Sequence, residues 1–448
     1  MKRAFSKIIL KYSWLNGLLS SYQGFVLKNS FGFFLLQGVS IILGFFLNFL
    51  LIRTAGSENY GQYVYVFNFL AIVAGLCVAG TDTLVLQRNP VYIESRQQAL
   101  LKGVIFFSTG LTFLVTLIAA FIALSFLGHF SYVSNLKWFN YYGIFFLALP
   151  AMSLLVLLQS SVRGFSKIFE SQLAEKIIRP VALILVVVIF IALGKPITFP
   201  ELIQSGIAAA LIAFIVVLYV HKKLLTGAAS DVRPAFAWQE WLKPAAVFFL
   251  LDGLALLNAR IDIFILGILT DSKTVGDYNI VLKLSEINGF GLYTANLVIS
   301  PIVAKLIYLK EKENLQKLIT ITAQLTLVFA SITSVVLICF SKTILSFFGI
   351  HAGNSQTALI ILCIGQFVNV LIGSVGVLLL LSGNQKSSVW SLFISILITI
   401  SLDLFLIPLY NITGVAIASA TGLIVWNGLM YYFVRKKLSI YTTAFSKL

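Results

Sequence analysis

Two stretches decide the fold: LLIRTAGSENYGQYVYV (50–66) and IFILGILTDSKTVGDYNIV (263–281). Each follows a long apolar run. Ser57, Gly61 and Tyr63 of the first align with Ser272, Gly276 and Tyr278 of the second at one constant offset, which also carries Gln37 onto Asp252. A duplicated unit explains why the matches fall at the same place in two halves of the chain. The 448 residues are 59% hydrophobic and only 11% charged, against about 25% charged in soluble domains. So few charges cannot cover a surface that faces water. Composition therefore excludes a disordered chain, a coiled coil, a secreted disulfide scaffold and nearly every soluble enzyme.

A bilayer core about 30 Å thick needs roughly 20 apolar residues of helix. Twelve such segments run near 29–52, 63–86, 103–127, 139–162, 177–193, 201–220, 244–268, 276–304, 318–340, 357–382, 387–408 and 411–434. Lipid offers no partner to an unpaired backbone amide, so each is helical. The fifth is short and holds Pro180. The expected architecture is an all-α polytopic membrane protein, with twelve transmembrane helices in two pseudo-symmetric six-helix bundles around a central cavity. The parts are a basic amphipathic segment at 1–28, a first bundle at 29–220, a linker at 221–243, a second bundle at 244–434 and a basic tail at 435–448. An even number of helices per unit gives the two copies the same orientation.

The net charge of +16 fits cytoplasmic loops and anionic lipid better than nucleic acid. Alternate loops collect most of the Lys and Arg, including Lys167, Lys176 and Arg179 before the fifth segment, while the opposite loops hold only Arg53, Lys137, Lys195, Lys273 and Lys342. That bias places both termini in the cytoplasm. Cys77, Cys339 and Cys363 read as small core residues, and the scattered His129, His221 and His351 suggest no metal site.

Charges inside helices are the informative residues, since each costs about 2.5–3.5 kcal/mol at mid-bilayer on insertion scales. Segment seven carries Asp252, Arg260 and Asp262; segment eight carries Lys283 and Glu286, three apart and able to pair. Arg260 and Asp262 are two apart and face nearly opposite ways on a helix. Asp82 and Asp403 read as structural charges. Gln37, Ser40, Gly44 and Asn48 form a stripe on segment one, either a packing seam or one wall of a wet cavity, and Gln366 and Asn369 on segment ten read the same way. No nucleotide-binding loop is present, so transport is expected to draw on a gradient. Asp252, Asp262 and Glu286 are the candidates to exchange H+ or Na+.

These motifs resemble those of a known family. LLIRTAGSENYGQY (50–63) is similar to the first-loop signature of polysaccharide and O-unit flippases, an Arg and an acidic turn leading into Gly-x-Tyr. NARIDIFILGILTDSKTVGDYNIVLKL (258–284) is similar to their helix-seven signature, and LLLLSGNQKSSVWSLF (378–393) and LDLFLIPLYNITGVAIASATG (402–422) to their late helices. The chain departs from the pattern at Asn411-Ile412-Thr413, where many relatives have a tighter glycine turn. The resemblance implies the multidrug/oligosaccharidyl-lipid/polysaccharide exporter superfamily, alternating access, and a polyprenyl-pyrophosphate-linked glycan moved across a bacterial cytoplasmic membrane. Membrane lipid is the expected medium, a polysaccharide polymerase and glycosyltransferases are candidate partners, and neither nucleic acid nor a cofactor is expected. The family's first-loop Arg carries over to Arg53 and its helix-seven Asp to Asp262.

Physical argument adds the rest. A pyrophosphate cannot cross hydrocarbon bare, so Arg53, Arg260 and Lys283 are expected as its cationic lining, with Gln37, Asn48, Gln366 and Asn369 facing the sugar. Arg suits phosphate because its planar fork donates two hydrogen bonds at once. A cation-coupled multidrug exporter would want an acidic cavity, against which Arg260 and Lys283 argue. A membrane-embedded sugar polymerase or glycosyltransferase would need an acidic cluster or a sizeable outer loop, and neither is present. A flippase of lipid-linked peptidoglycan precursor typically has two more helices. Topology is directly testable: reporter fusions after Lys223 should score cytoplasmic and fusions after Lys273 external, and the reverse pattern would overturn the assignment.

Overall fold

The computed structural model describes residues 23–130, 142–229 and 232–445, and among them there are helices but no strands. Most of the expected amphipathic segment 1–28 lies outside the described residues, as does the loop between the third and fourth segments. Seven helices are long and apolar enough to cross a membrane, eight if the bent helix starting at Ser272 counts as one span. Their surface is inverted relative to a soluble protein. Phe121, Leu250 and Phe405 are at least 64% exposed, while Ser108, Thr112, Ser391 and Asp403 are fully buried. An apolar exterior of this extent belongs in lipid, so this is a multi-pass membrane protein.

In chain order the helices are α1 Gln23–Cys77, α2 Thr81–Glu94, α3 Gln98–Phe130, α4 Tyr142–Gly164, α5 Ile168–Leu173, α6 Arg179–Ala192 and α7 Phe199–Ala229. After the linker come α8 Trp238–Leu269, α9 Ser272–Tyr308, α10 Lys312–Cys339, α11 Ser341–Phe347, α12 Asn354–Ile372, α13 Val375–Leu381, α14 Gln385–Tyr410 and α15 Ile412–Leu438. The first expected loop shrinks to one residue. α1 turns at Gly56 (φ 80°, ψ 159°), a conformation essentially reserved for glycine. The turn between α14 and α15 is as tight. Asn411 takes φ 48° there, which Asn tolerates, and a side chain on Gly414 would strike the Leu406 carbonyl.

The fifth segment begins earlier than its hydropathy suggests. α5 runs into α6 through a π turn at Ala174–Ile178, with α-helical dihedrals on both sides. The wide turn ends just before Pro180, which lacks an amide hydrogen, so the helix passes the proline without stopping. Lys176 and Arg179 are therefore helix residues rather than loop residues.

Packing repeats between the halves. α4 packs on α2, α3 and α7, while α12 packs on α9, α10 and α15; likewise α6 lies on α7 and α14 on α15. The halves meet chiefly where α1 crosses α9, and the crossing is made by the repeated motifs themselves. A Cβ on Gly61 would overlap the Ser272 carbonyl and the Gly276 amide, and one on Gly276 would crowd Ser57 and Gly61. Without a hydrophobic driving force between helices in lipid, close backbone approach at small residues is what holds such a crossing. Gly61→Ala should accordingly destabilise the purified protein by about 1–3 kcal/mol, the usual overpacking cost. Gly110→Ala, which faces open space, should not, as read from the two thermal unfolding midpoints.

Candidate functional site

Three cavities bounded by the described residues take in most of the charged residues singled out in the sequence. The first, about 400 Å³, is lined by Asn48, Asn68 and Gly75 of α1, Asp82 of α2, Glu175 and Arg179 of the fifth segment, and Asp252 and Arg260 of α8. Arg260 Nη1 donates to the Asn68 amide oxygen at 2.5 Å. No carboxylate among the described residues forms an ion pair with it. Arg179 lies 5.4 Å from the Phe67 ring centroid. Asp252 accepts from the Thr83 hydroxyl at 2.9 Å and lies close enough to Asp82 for the two charges to repel. Among the described residues the ion pairs are Lys167–Glu170 and Lys283–Glu286, so neither arginine of this cavity is held in a salt bridge.

The second cavity, about 790 Å³ and mostly apolar, lies between α1 and α9. Gln37, Ser40, Gly44 and Asn48 all line it, so the stripe read from the sequence is a cavity wall rather than a packing seam. Lys283 and Glu286 face it from α9, with Nζ to Oε2 at 2.8 Å and both side chains about half exposed. Lys176 donates to the Gln37 amide oxygen at 2.7 Å, and the buried Gln37 amide nitrogen has no protein partner. Asn48 borders both this cavity and the first. It accepts from the Tyr60 hydroxyl at 2.7 Å, which in turn accepts from the Asn279 amide at 2.7 Å. The wall between the two spaces is thus a fixed chain of polar groups.

The third cavity, about 250 Å³, belongs to the second half and is lined by Asp262, Ser285, Glu286, Gln366, Thr399, Ser419 and Trp426 among others. Asp262 is buried. Its Oδ2 accepts from the Tyr278 hydroxyl at 2.8 Å and the Ser419 hydroxyl at 3.1 Å, and its Oδ1 from the Ile263 amide at 2.8 Å. Asp403, one turn beyond Thr399 on α14, is fully buried, and neither of its carboxylate oxygens has a hydrogen-bond partner. It is near enough to Asp262 for their charges to interact. Asn369 does not line this cavity; its amide donates to Gln366 at 3.3 Å.

Arg53 stands apart from all three spaces. Its Nε donates to the Phe347 carbonyl at 2.8 Å and its Nη2 to the Ser346 carbonyl at 3.0 Å, while Phe49 stacks on Phe347 at 4.4 Å. A cation on the last carbonyls of α11 complements the helix dipole. The cationic lining expected from Arg53, Arg260 and Lys283 is thereby revised. Arg260 alone of the three is an unpaired cavity cation, and Arg179 joins it. Sequence reading missed Arg179 and Glu175 because the fifth segment was started too late, although a span of seventeen apolar residues is short by the bilayer criterion. Asp403, expected as a structural charge, lies four residues after Thr399 on α14, on the same face of the helix.

A family profile described as "Polysaccharide biosynthesis protein" matches residues 26–307. No curated protein sequence matches the chain. Among solved structures, an inward-facing multidrug resistance MATE family transporter of the MOP superfamily is similar at a TM-score of 0.71, with 13% identity over 89% of this chain and 94% of that one. The lipid II flippase MurJ in an inward closed conformation is similar at 0.69, with 17% identity over 90% and 87%. A MOP superfamily transporter from Pyrococcus furiosus is similar at 0.62, with 13% identity over 92% and 95%. At such identities the likeness is one of fold.

Proposed function

The chain belongs to the polysaccharide biosynthesis protein family, and from that premise we propose that it is a flippase for a polyprenyl-pyrophosphate-linked oligosaccharide. One observation carries the reading: a charged cavity and a larger apolar cavity share the residue Asn48. An amphiphile with a phosphorylated head and a long hydrocarbon tail needs such a pair of spaces side by side. Arg260 and Arg179 would take the pyrophosphate, since both line the charged cavity outside any ion pair and each offers a planar fork. The tail would leave through the space between α1 and α9, where Gly38, Ile41, Ile42 and Phe45 form the wall. One of the solved structures of similar fold is named as a lipid II flippase.

We read the architecture as twelve spans in two six-helix bundles, 29–220 and 244–434, with both termini in the cytoplasm of a bacterial cell. The repeated packing around α4 and α12 supports it. The third cavity would hold the coupling ion. The Asp262 carboxylate, with the hydroxyls of Ser419 and Tyr278 on it, offers oxygens suited to a hard cation or a proton, and the buried Asp403 carboxylate, which has no hydrogen-bond partner, would join them. Asp252 and Glu286 are then secondary, the first bound to Thr83 and the second to Lys283. A drug exporter of the same superfamily is the weaker reading, because the charged cavity presents two arginines.

Arg260→Ala and Arg179→Ala should each weaken binding of a polyprenyl diphosphate to the purified protein by roughly 10–100-fold, as loss of a charged hydrogen bond implies. Lys at either position should recover part of that. Unchanged binding in both alanine variants would refute the site. For coupling, Asp403→Asn should abolish the dependence of transport into vesicles on an imposed sodium or proton gradient. A variant that still responds to the gradient would remove Asp403 from the coupling site.

A further inference from the structure

Past Leu438 the chain does not trail away as a free basic tail. Ser439 takes a left-handed conformation (φ 53°) that ends α15. The Arg435 guanidinium lies 3.3 Å from the centroid of the Tyr441 ring. Residues Ile440 to Phe445 then alternate. Ile440, Thr442 and Ala444 are buried, while Tyr441 and Phe445 are exposed. The chain leaves the helix here, bends at Thr443 and turns at Ala444 and Phe445, with one side of the segment packed.

The segment is pinned at three points. The Gln316 side chain brackets Tyr441, accepting from its amide at 2.9 Å and donating to its carbonyl at 2.7 Å. Gln324 donates to the Ala444 carbonyl at 3.3 Å. Gln324 is twelve residues into α10, roughly 18 Å along the helix at 1.5 Å per residue. The Thr442 hydroxyl donates to the Ile372 carbonyl at 2.5 Å. This last contact falls on the break between α12 and α13, where Gly373 takes φ 83° and the regular hydrogen-bond ladder stops. The two features are fitted to each other, since a Cβ on Gly373 would run into the Thr442 carbonyl. A buried carbonyl outside the helical ladder needs a partner, and Thr442 supplies one to Ile372.

We propose that Ile440–Ala444 is a positioning strap that holds the break between α12 and α13, and through it the α12 wall of the third cavity. Gln366, which lines that cavity, and Asn369, which donates to it, sit on the last two turns of α12 before the break. The angle at which α12 ends sets where Gln366 points. The strap ties that angle to α10 through Gln316 and to α15 through its own chain. Its consequence for transport rests on the flippase reading above; its consequence for the break does not.

The test uses full-length protein with Cys77, Cys339 and Cys363 replaced by Ser and a reporter thiol at Ser374→Cys, a site 2% exposed beside the break. Thr442→Val keeps the shape of the side chain and deletes the hydroxyl; Thr442→Ser keeps the hydroxyl; Gln316→Leu removes both bonds to Tyr441. Labelling of the reporter by a small maleimide should quicken at least fivefold in the Val and Leu variants and stay within twofold of the parent in the Ser variant. Transport of the lipid-linked glycan, normalised to protein in the membrane, should fall in the same two variants and persist in the third. Parental labelling rates in both Thr442→Val and Gln316→Leu would overturn the strap. Quickened labelling in a protein whose parent moves no lipid-linked glycan would leave the strap standing and refute the flippase reading instead.

Discussion

The Ser272 carbonyl occupies the space that any side chain on Gly61 would need, and Gly276 leaves the same room for Ser57. Lipid gives two apolar helices no reason to prefer each other over acyl chains, so a crossing has to be made by contact distance and by polar groups. Here both operate within one turn of helix. The glycines bring α1 and α9 together, and the Asn279–Tyr60–Asn48 chain of hydrogen bonds spans the gap they leave. The rest of the interior follows from that contact. On the other side of the turn at Gly56, Gln37 to Asn48 of α1 and Lys283 to Tyr293 of α9 line the apolar cavity.

A second consequence concerns charge. Each ionised group at depth is costly, and the helices answer that cost in two ways. Lys283 and Glu286 neutralise each other within one turn. Arg260, Arg179, Glu175, Asp82 and Asp252 instead converge on one space and leave the arginines outside any close ion pair. The π turn at Ala174–Ile178 has a part in this. By lengthening the fifth segment toward Ile168, it turns a stretch that would have been loop into a wall carrying Glu175, Lys176 and Arg179.

Much of this was legible in the residues, and what was not has physical causes. The repeat Ser57–Gly61–Tyr63 against Ser272–Gly276–Tyr278 marked the crossing, because only glycine permits backbone contact and so leaves a signature. The stripe Gln37, Ser40, Gly44, Asn48 announced a polar face by its period. Arg53 misled, since a cation at a helix end looks the same whether it awaits a phosphate or caps the carbonyls of Ser346 and Phe347. The strap after Leu438 was illegible. Gln316 reads the backbone of Tyr441, not its side chain, and a backbone contact leaves no pattern in a sequence. That Asp403 is buried with neither carboxylate oxygen hydrogen-bonded was not legible, because burial on α14 depends on packing against distant helices.

The two ends of the proposed mechanism meet on α8. Arg260 and Asp262 are two residues apart, so a regular helix sends them to opposite faces. Arg260 faces the charged cavity and Asp262 the third cavity. A helix is stiff over so short a distance, and neither side chain can be repositioned independently of the other by a rotation of the helix. A rotation that followed ion binding between Asp262 and Asp403 would therefore move the Arg260 guanidinium by the same angle, away from or toward Asn68. Coupling between sites requires that each ligand bind two arrangements with different affinity. Placing one contact of each site on either face of α8 supplies that difference with a single moving part. Glu286, which borders both the apolar cavity and the third, gives α9 the same double exposure. The two helices that flank the repeated loop 263–281 are thus the ones that touch every space the proposed cycle uses.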